Sequence, residues 1–269
     1  MKQITAFLSA HADVIRIDVN SAKGSTPREQ GAFMLVSDNA IYGTIGGGRL
    51  EFDAIDAARA MLVSNQKATK LDIALGPDIN QCCGGRVVLQ LTKLDEFERR
   101  TMTERMAESA NKMPQVLLFG AGHVGRALAL ALAPLPFRVT LIDPRPHALL
   151  PTINGVASIA LTVPEQAVRD ARPGTSFVVM THEHSLDFLI VNEALKREDA
   201  AYVGLIGSKT KKSVFRTQFL EEGGTLENFA KLVSPIGANP TGDKRPEVIA
   251  AFVASELCNT LLAPKTYRG

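Results

Sequence analysis

The chain has 269 residues, of which 45% are hydrophobic and 22% charged, a composition typical of soluble globular proteins. Its 30 basic and 28 acidic residues give a net charge of +2, which argues against a nucleic-acid-binding protein and against a polybasic membrane anchor. No apolar run approaches the roughly 20 residues that cross a bilayer, and the N-terminus is too polar for a signal peptide. We therefore expect a cytoplasmic protein with reduced cysteines and no membrane partner.

The first part of the chain combines strand and helix patterns. Residues Val14–Val19 alternate between apolar and polar, as in a half-buried strand. Ala32–Ser37 and Ala40–Gly46 form a predicted hairpin across an Asp-Asn turn. An amphipathic helix and two more strands follow, "TKLDIAL" and "GRVVLQL". Residues 1–95 are therefore predicted to form an N-terminal α+β domain.

The second part of the chain has the rhythm of a parallel sheet. Residues 96–114 are rich in charged helix formers and indicate a linker helix. Residues 115–269 then contain apolar runs, separated by helical or loop segments: "QVLLFG", "RVTLID", "SFVVMT" and "YVGLIG". This alternation predicts a Rossmann-like, doubly wound parallel sheet with helices on both faces. The fold class is α/β.

A dinucleotide fingerprint marks the start of this second domain. Gly120, Gly122 and Gly125 have the G-x-G-x-x-G spacing between a predicted strand and a predicted helix. Asp143 ends the next strand, where it is placed to bind ribose hydroxyls. His123 lies inside the glycine loop and faces either a ligand or solvent. The start of such a helix binds the phosphate of a dinucleotide, a nucleotide or a phosphorylated pterin, and a degenerate site that binds nothing is the alternative.

The N-terminal domain carries a second glycine-rich element. Gly46, Gly47 and Gly48 directly precede a helix, where free amides and the helix dipole suit an anion. Glu51, in the first turn, either caps the helix or contacts a ligand. Arg28 follows a proline, and its planar guanidinium suits a phosphate or the amide edge of a pterin.

Two polar segments of the second domain leave their roles open. "MTHEHSLD" follows a predicted strand, and its histidines and acids either face a ligand or form a hydrogen-bonded loop. "GLIGSKTKK" starts another helix, and we expect Lys211 and Lys212 to lie on a solvated basic face. Cys258 lies among apolar residues of the last predicted helix and is interpreted as a packing residue.

Seven motifs in this order resemble the XdhC/CoxI family, the xanthine dehydrogenase accessory proteins. They are "GSTPREQGAFMLV", "GTIGGGRLE", "QCCGG", "LFGAGHVGRAL", "VTLIDPR", "MTHEHSLD" and "VGLIGSKTKK". The resemblance covers nearly the whole chain. It implies a chaperone, rather than an enzyme, that binds the molybdenum cofactor (molybdopterin). It also implies that a cysteine desulfurase sulfurates the bound cofactor, that apo-xanthine dehydrogenase receives it, and that the protein forms a homodimer or a larger homo-oligomer.

The resemblance gives the adjacent cysteines a candidate role. Soft thiolates are good ligands for soft metals, and Cys83, which precedes two glycines, is the first candidate for a molybdenum ligand. Cys82 is the second candidate. A small buried hydrophobic residue is the structural alternative for either cysteine.

Two other functions compete with the chaperone. The fingerprint and Asp143 are also compatible with an NAD(P)-dependent oxidoreductase, in which His182 or His184 would donate a proton. A small-molecule sensor that only binds a nucleotide in the Rossmann site is the third possibility.

Overall fold

The structure is a computed structural model that describes residues 2–75 and 84–263. The chain divides into two compact units, Met1–Ser109 and Ala110–Gly269. The division falls within the helix Glu96–Lys112, in the region where the sequence predicted a linker helix. No described helix is both long and apolar enough to pass through a membrane.

The first unit is an antiparallel sheet covered by helices. In the described part its strands have the order β3-β2-β1-β5-β4. Its elements, in chain order, are α1 (Lys2–Ala10), β1 (Ile15–Lys23), β2 (Phe33–Val36), β3 (Ile41–Gly43), α2 (Gly48–Ser64), β4 (Ala68–Ala74), β5 (Arg86–Lys93) and α3 (Glu96–Lys112).

Strand alternation gives this sheet two apolar faces. Met34 and Val36 of β2 belong to the core beneath α2, which includes Leu50. Leu35, between them, packs with Ile4 of α1 in a second cluster that also contains Met102 of α3. Successive strand residues point to opposite faces, so one short strand contributes to both cores. The buried methionine of α3 ties that helix to the first unit.

The second unit is a parallel sheet with the strand order β8-β7-β6-β9-β10-β11 among the described residues. Its elements are β6 (Gln115–Phe119), α4 (His123–Leu132), β7 (Arg138–Asp143), a 3-10 turn (Pro146–Leu149), β8 (Ala157–Ala160), α5 (Glu165–Arg169), β9 (Ser176–Val179), α6 (His184–Lys196), β10 (Tyr202–Leu205), α7 (Lys209–Glu221), α8 (Leu226–Ala230), β11 (Leu232–Val233) and α9 (Pro246–Leu261). This is the Rossmann strand order, with its switch point between β6 and β9. The predicted α/β fold class is confirmed.

Helices cover both faces of the parallel sheet. Val116 and Leu118 of β6 join the core formed by α4 and α9. Leu117 and Phe119 join the core formed by α6, α7 and α8. Cys258 is half-buried against the first of these cores, so its interpretation as a packing residue is confirmed.

Candidate functional site

Pro27 packs on the glycine triplet that precedes α2. A Cβ atom placed on Gly46 would lie only 2.5 Å from Cγ of Pro27, so the proline ring sits directly on the glycine. Gly46 also has φ +131°, which side chains rarely adopt. The sequence therefore places glycine where both the backbone conformation and the close approach require it. The β1–β2 loop and the loop before α2 are thereby joined.

The glycines before β5 join the same cluster of loops. A Cβ atom on Gly85 would lie 2.4 Å from the carbonyl oxygen of Ser25 and 2.7 Å from that of Lys23. Ser25 also forms a bridge with Gly84. Three glycine-bearing segments, far apart in sequence, therefore meet beside the end of β1 and the start of β5. Cys82 and Cys83 lie outside the described residues.

Glu51 holds the glycine loop from within. Its Oε2 accepts hydrogen bonds from the hydroxyl of Thr44 at 2.5 Å, the amide of Ile45 at 3.0 Å and the amide of Gly47 at 3.2 Å. Its Oε1 has no hydrogen-bond partner in the part of the chain that the structure describes. The carboxylate therefore binds the loop through one oxygen, which is compatible with the capping role considered from the sequence. The ligand contact, the other role considered, stays a prediction.

The outer side of this loop is bare backbone. Gly47 has φ +79° and ψ −176° and precedes the first helical residue, Gly48. A Cβ atom on Gly47 would meet no atom within 4 Å. Arg28 is exposed in the adjoining loop, where the Thr26 hydroxyl donates to its carbonyl oxygen at 3.1 Å. The Arg28 guanidinium and the uncovered start of α2 thus lie on two segments that are in contact through Pro27 and Gly46.

The three fingerprint glycines of the second unit differ in whether the surrounding structure requires a glycine. A Cβ on Gly120 would lie 2.4 Å from the carbonyl oxygen of Met180, and one on Gly125 would lie 1.8 Å from the carbonyl oxygen of Gly120. Gly122 differs, because its φ is −71° and a Cβ there would meet nothing within 4 Å. His123 is exposed as the first residue of α4.

Asp143 is fully engaged at the end of β7. Its Oδ2 accepts from the amide of Ala121 at 2.8 Å and from Nη2 of Arg145 at 3.0 Å. Its Oδ1 accepts from the backbone amide and from Nε of Arg145, both at 2.9 Å. Burial raises the pKa of the Asp143 carboxyl, but the hydrogen bonds from Arg145 and Ala121 outweigh burial and hold this pKa below its ordinary value. The ribose contact predicted for this residue stays a prediction.

A buried ion pair joins the first turns of α6 and α7. Asp187 is fully buried and accepts from the amide and hydroxyl of Thr181 and, at 2.5 Å, from Nζ of Lys211. The solvated face expected for Lys211 is therefore wrong, because only 12% of its side chain is exposed. The reason is Gly207, which makes room for the stem of Lys211.

The histidines that follow β9 form no metal site with other described residues. His182, Glu183 and His184 are exposed. The described parts of the chain contain no group of three or more His, Cys, Asp or Glu residues that could hold a metal ion. The metal role expected for Cys83 falls outside these residues and stays a prediction.

The structure thus gathers the predicted residues into two groups, one in each unit. The first contains Gly46, Gly47, Gly48 and Glu51, with the Arg28 loop against them; the second contains Gly120, Gly122, His123, Gly125 and Asp143. The contacts of Thr44 and Arg145 were not predicted from the sequence. The signal for Arg145 was present, since it follows the predicted ribose-binding acid by only two positions.

Comparison with known proteins agrees with this two-part organisation. Residues 7–72 match the family described as "XdhC and CoxI family", and residues 116–257 match the one described as "XdhC Rossmann domain". A crystal structure described as a xanthine dehydrogenase from Bacillus halodurans has the same fold, with a TM-score of 0.81 over 100% of this chain and 97% of that one, at 18% identity.

Two curated relatives are longer proteins. The uncharacterized protein YqeB of Escherichia coli strain K12 is 29% identical over 88% of this chain and 41% of its own length. A probable xanthine dehydrogenase subunit of Bacillus subtilis strain 168 is 30% identical over 59% of this chain and 46% of its own length. This chain thus spans less than half the length of either relative. The resemblance inferred from the motifs is confirmed: the chain belongs to the XdhC family.

Proposed function

We propose that this protein is a chaperone that binds the molybdenum cofactor, supports its sulfuration and inserts it into apo-xanthine dehydrogenase. The observation that carries the proposal is the meeting of three glycine-bearing segments in the first unit, in a chain that belongs to the XdhC family. The name of the Bacillus subtilis relative supports xanthine dehydrogenase as the client enzyme. A cysteine desulfurase as sulfur donor, a homo-oligomeric state and a cytoplasmic location belong to the same proposal.

The residues of the first unit fit an anionic, phosphorylated pterin. The uncovered backbone at Gly47 lets a ligand approach the start of α2, where the helix dipole favours a negative group. Arg28 would supply a positive charge beside it. Oε1 of Glu51 would accept a hydrogen bond from a pterin N–H, since Oε2 already holds the loop. When bound, the cofactor supplies a molybdenum centre with a replaceable terminal ligand.

The cysteines would act on the metal side of the ligand. Cys83 directly precedes Gly84, which bridges to Ser25 in the cluster of glycine segments. A thiolate is a soft ligand that suits a soft metal ion. We propose Cys83 as the molybdenum contact and Cys82 as the second candidate.

Retention of the cofactor tests the proposal directly. The full chain, purified from cells that synthesise the cofactor, should carry pterin and molybdenum in near-equal amounts. Gly47→Val should lose both, because a side chain would cover the bare backbone. Gly174→Val is the matched control, since Gly174 also has positive φ and open space but lies in the second unit. A wild-type chain that is repeatedly empty, or a Gly47→Val chain that remains loaded, would contradict the proposal.

The cysteine role needs its own comparison. Cys83→Ala should weaken retention of the sulfurated cofactor, whereas Cys258→Ala should not, because Cys258 packs against the core of the second unit. Molybdenum and cyanide-releasable sulfur would be measured in both variants. Equal retention would assign Cys83 a purely structural role.

One observation supports a nucleotide as a second ligand. Gly122 is the only fingerprint glycine for which the described residues give no steric or conformational reason. In this fingerprint a glycine at the second position lets the backbone approach a phosphate. The alternative function, an NAD(P)-dependent oxidoreductase, would require hydride transfer as well as binding. Titration with NAD and NADH and an assay with hydride acceptors would separate the two.

A further inference from the structure

The end of β7 has no acceptor left for a ribose diol. Each oxygen of Asp143 accepts two hydrogen bonds, and the residue is 1% exposed. In Rossmann proteins that bind NAD, an acid at this position accepts hydrogen bonds from the ribose hydroxyls. Here the carboxylate is engaged with Ala121 and Arg145 instead. A free diol would have to displace Arg145 to reach it.

The same contacts hold the guanidinium of Arg145 in one orientation. Its Nε and Nη2 donate to Asp143, so two of the five N–H groups of the guanidinium are used. The other three have no partner among the described residues, and 38% of the side chain is exposed. A guanidinium held in this way presents its outer edge as a fixed fork, which suits a phosphate.

Gly122, in the same unit, is a glycine that the protein's own packing does not require. With φ −71° and open space around its missing Cβ, it could carry alanine without clash in the protein itself. Gly120 and Gly125, in contrast, are both needed for packing. A bare backbone where the fold does not require one indicates that a ligand approaches there. Asp143 bonds Ala121 of this same glycine loop, so Arg145 and the loop belong to one site.

We propose that this site binds a dinucleotide phosphorylated at the 2′ position of its adenosine ribose, in preference to one with a free diol. Arg145 contacts the 2′-phosphate, and Gly122 admits the pyrophosphate. Arg145 is then the residue that determines specificity, and Asp143 is the positioning residue that orients it. The inference concerns the second unit and does not rest on the molybdenum-cofactor chaperone.

Calorimetric titration of the full chain with NADPH and NADH at fixed ionic strength tests this site. NADPH should bind at least about tenfold more tightly than NADH, as expected for hydrogen bonds to a charged group. Arg145→Gln should reduce NADPH affinity to the NADH level. Arg138→Gln should change neither affinity; it removes the same charge from an exposed residue at the opposite end of β7. Gly122→Val should abolish both, with an unchanged melting temperature.

Three outcomes would overturn the proposal: equal affinities for the two dinucleotides, an Arg145→Gln chain that still prefers NADPH, or no binding of either. The wild-type comparison stands even if a variant fails to fold. Pterin and molybdenum content, measured in the same preparations, separates this site from the chaperone proposal. A chain that loses NADPH binding and keeps its pterin would have two independent sites.

Discussion

The ammonium nitrogen of Lys211 lies 2.5 Å from Oδ2 of Asp187, at the carboxyl edge of the parallel sheet. Lys211 also donates to the carbonyl oxygen of Ile206, directly after β10. Asp187 lies in the first turn of α6, and Lys211 in that of α7. This buried pair therefore links the segments that follow β9 and β10 to the first turns of α6 and α7.

Removing the lysine should destabilise the second unit strongly. In Lys211→Met the fully buried Asp187 keeps its hydrogen bonds to Thr181 but loses its counter-charge, which typically costs about 3–5 kcal/mol. Urea denaturation followed by circular dichroism would measure the loss. Lys196→Met is the control, because this lysine is 55% exposed in its pair with Glu193 and should cost less than about 1 kcal/mol. Similar losses in both variants would refute a stabilising role for the buried pair.

The contact between Gly46 and Pro27 predicts a coupled pair of substitutions. Gly46→Ala should lose about 1–3 kcal/mol through backbone strain and about 1–3 kcal/mol more through overlap with the proline ring. Gly31→Ala should show the strain alone, since Gly31 has φ +91° and open space. Chemical denaturation of both variants would show the difference. In a Pro27→Ala background Gly46→Ala should lose less; strict additivity would mean that the two residues do not interact.

The conformation of the loop before α2 should depend on the hydrogen bonds that the Glu51 carboxylate accepts. Glu51→Ala removes the acceptor for two backbone amides and the Thr44 hydroxyl, and we expect a loss of about 1.5–3 kcal/mol. Asp53→Ala is the comparison. Asp53 is two positions after Glu51 and forms an exposed ion pair with Arg49, its one polar partner among the described residues. The unfolding free energies of both variants would be measured at neutral pH. A Glu51→Ala chain as stable as Asp53→Ala would show that the loop does not need its cap.

Acid should weaken the second unit partly through Asp143. The folded pKa of this carboxyl lies below its ordinary value, so its ionised form contributes stability above the unfolded pKa of about 4. That contribution is lost as pH falls through the lower, folded pKa. Melting temperatures between pH 6 and pH 2.5 should therefore decrease more steeply in the wild type than in Asp143→Asn. Parallel curves would show that the carboxyl titrates alike in both states.

The architecture could be predicted from the sequence, because local residue patterns determine where the strands and helices form. Continuous apolar runs and the glycine fingerprint predicted the parallel sheet, and β6 and α4 lie where these patterns placed them. Alternation in Val14–Val19 likewise predicted a strand that became part of β1. Such signals depend on neighbours a few positions apart, which are visible in one sequence.

Side-chain partners could not be predicted in the same way. Lys211 looked like one of several lysines at a helix start, and only the fold brings it to Asp187, 24 positions earlier. The packing of Gly46 on Pro27 and of Gly85 on Ser25 also depends on tertiary contacts between distant loops. Glu51 is the intermediate case, since its spacing from the glycines allowed the cap without excluding a ligand.

Each unit has a glycine-rich turn with backbone N–H groups that donate to a carboxylate of the same unit: two donate to Glu51 in the first unit and one donates to Asp143 in the second. Such a turn does not have to be ordered by an arriving molecule, so the entropy lost on association should be small. A molecule that binds at either turn would then meet a surface that is already ordered, and it could leave without unfolding that turn.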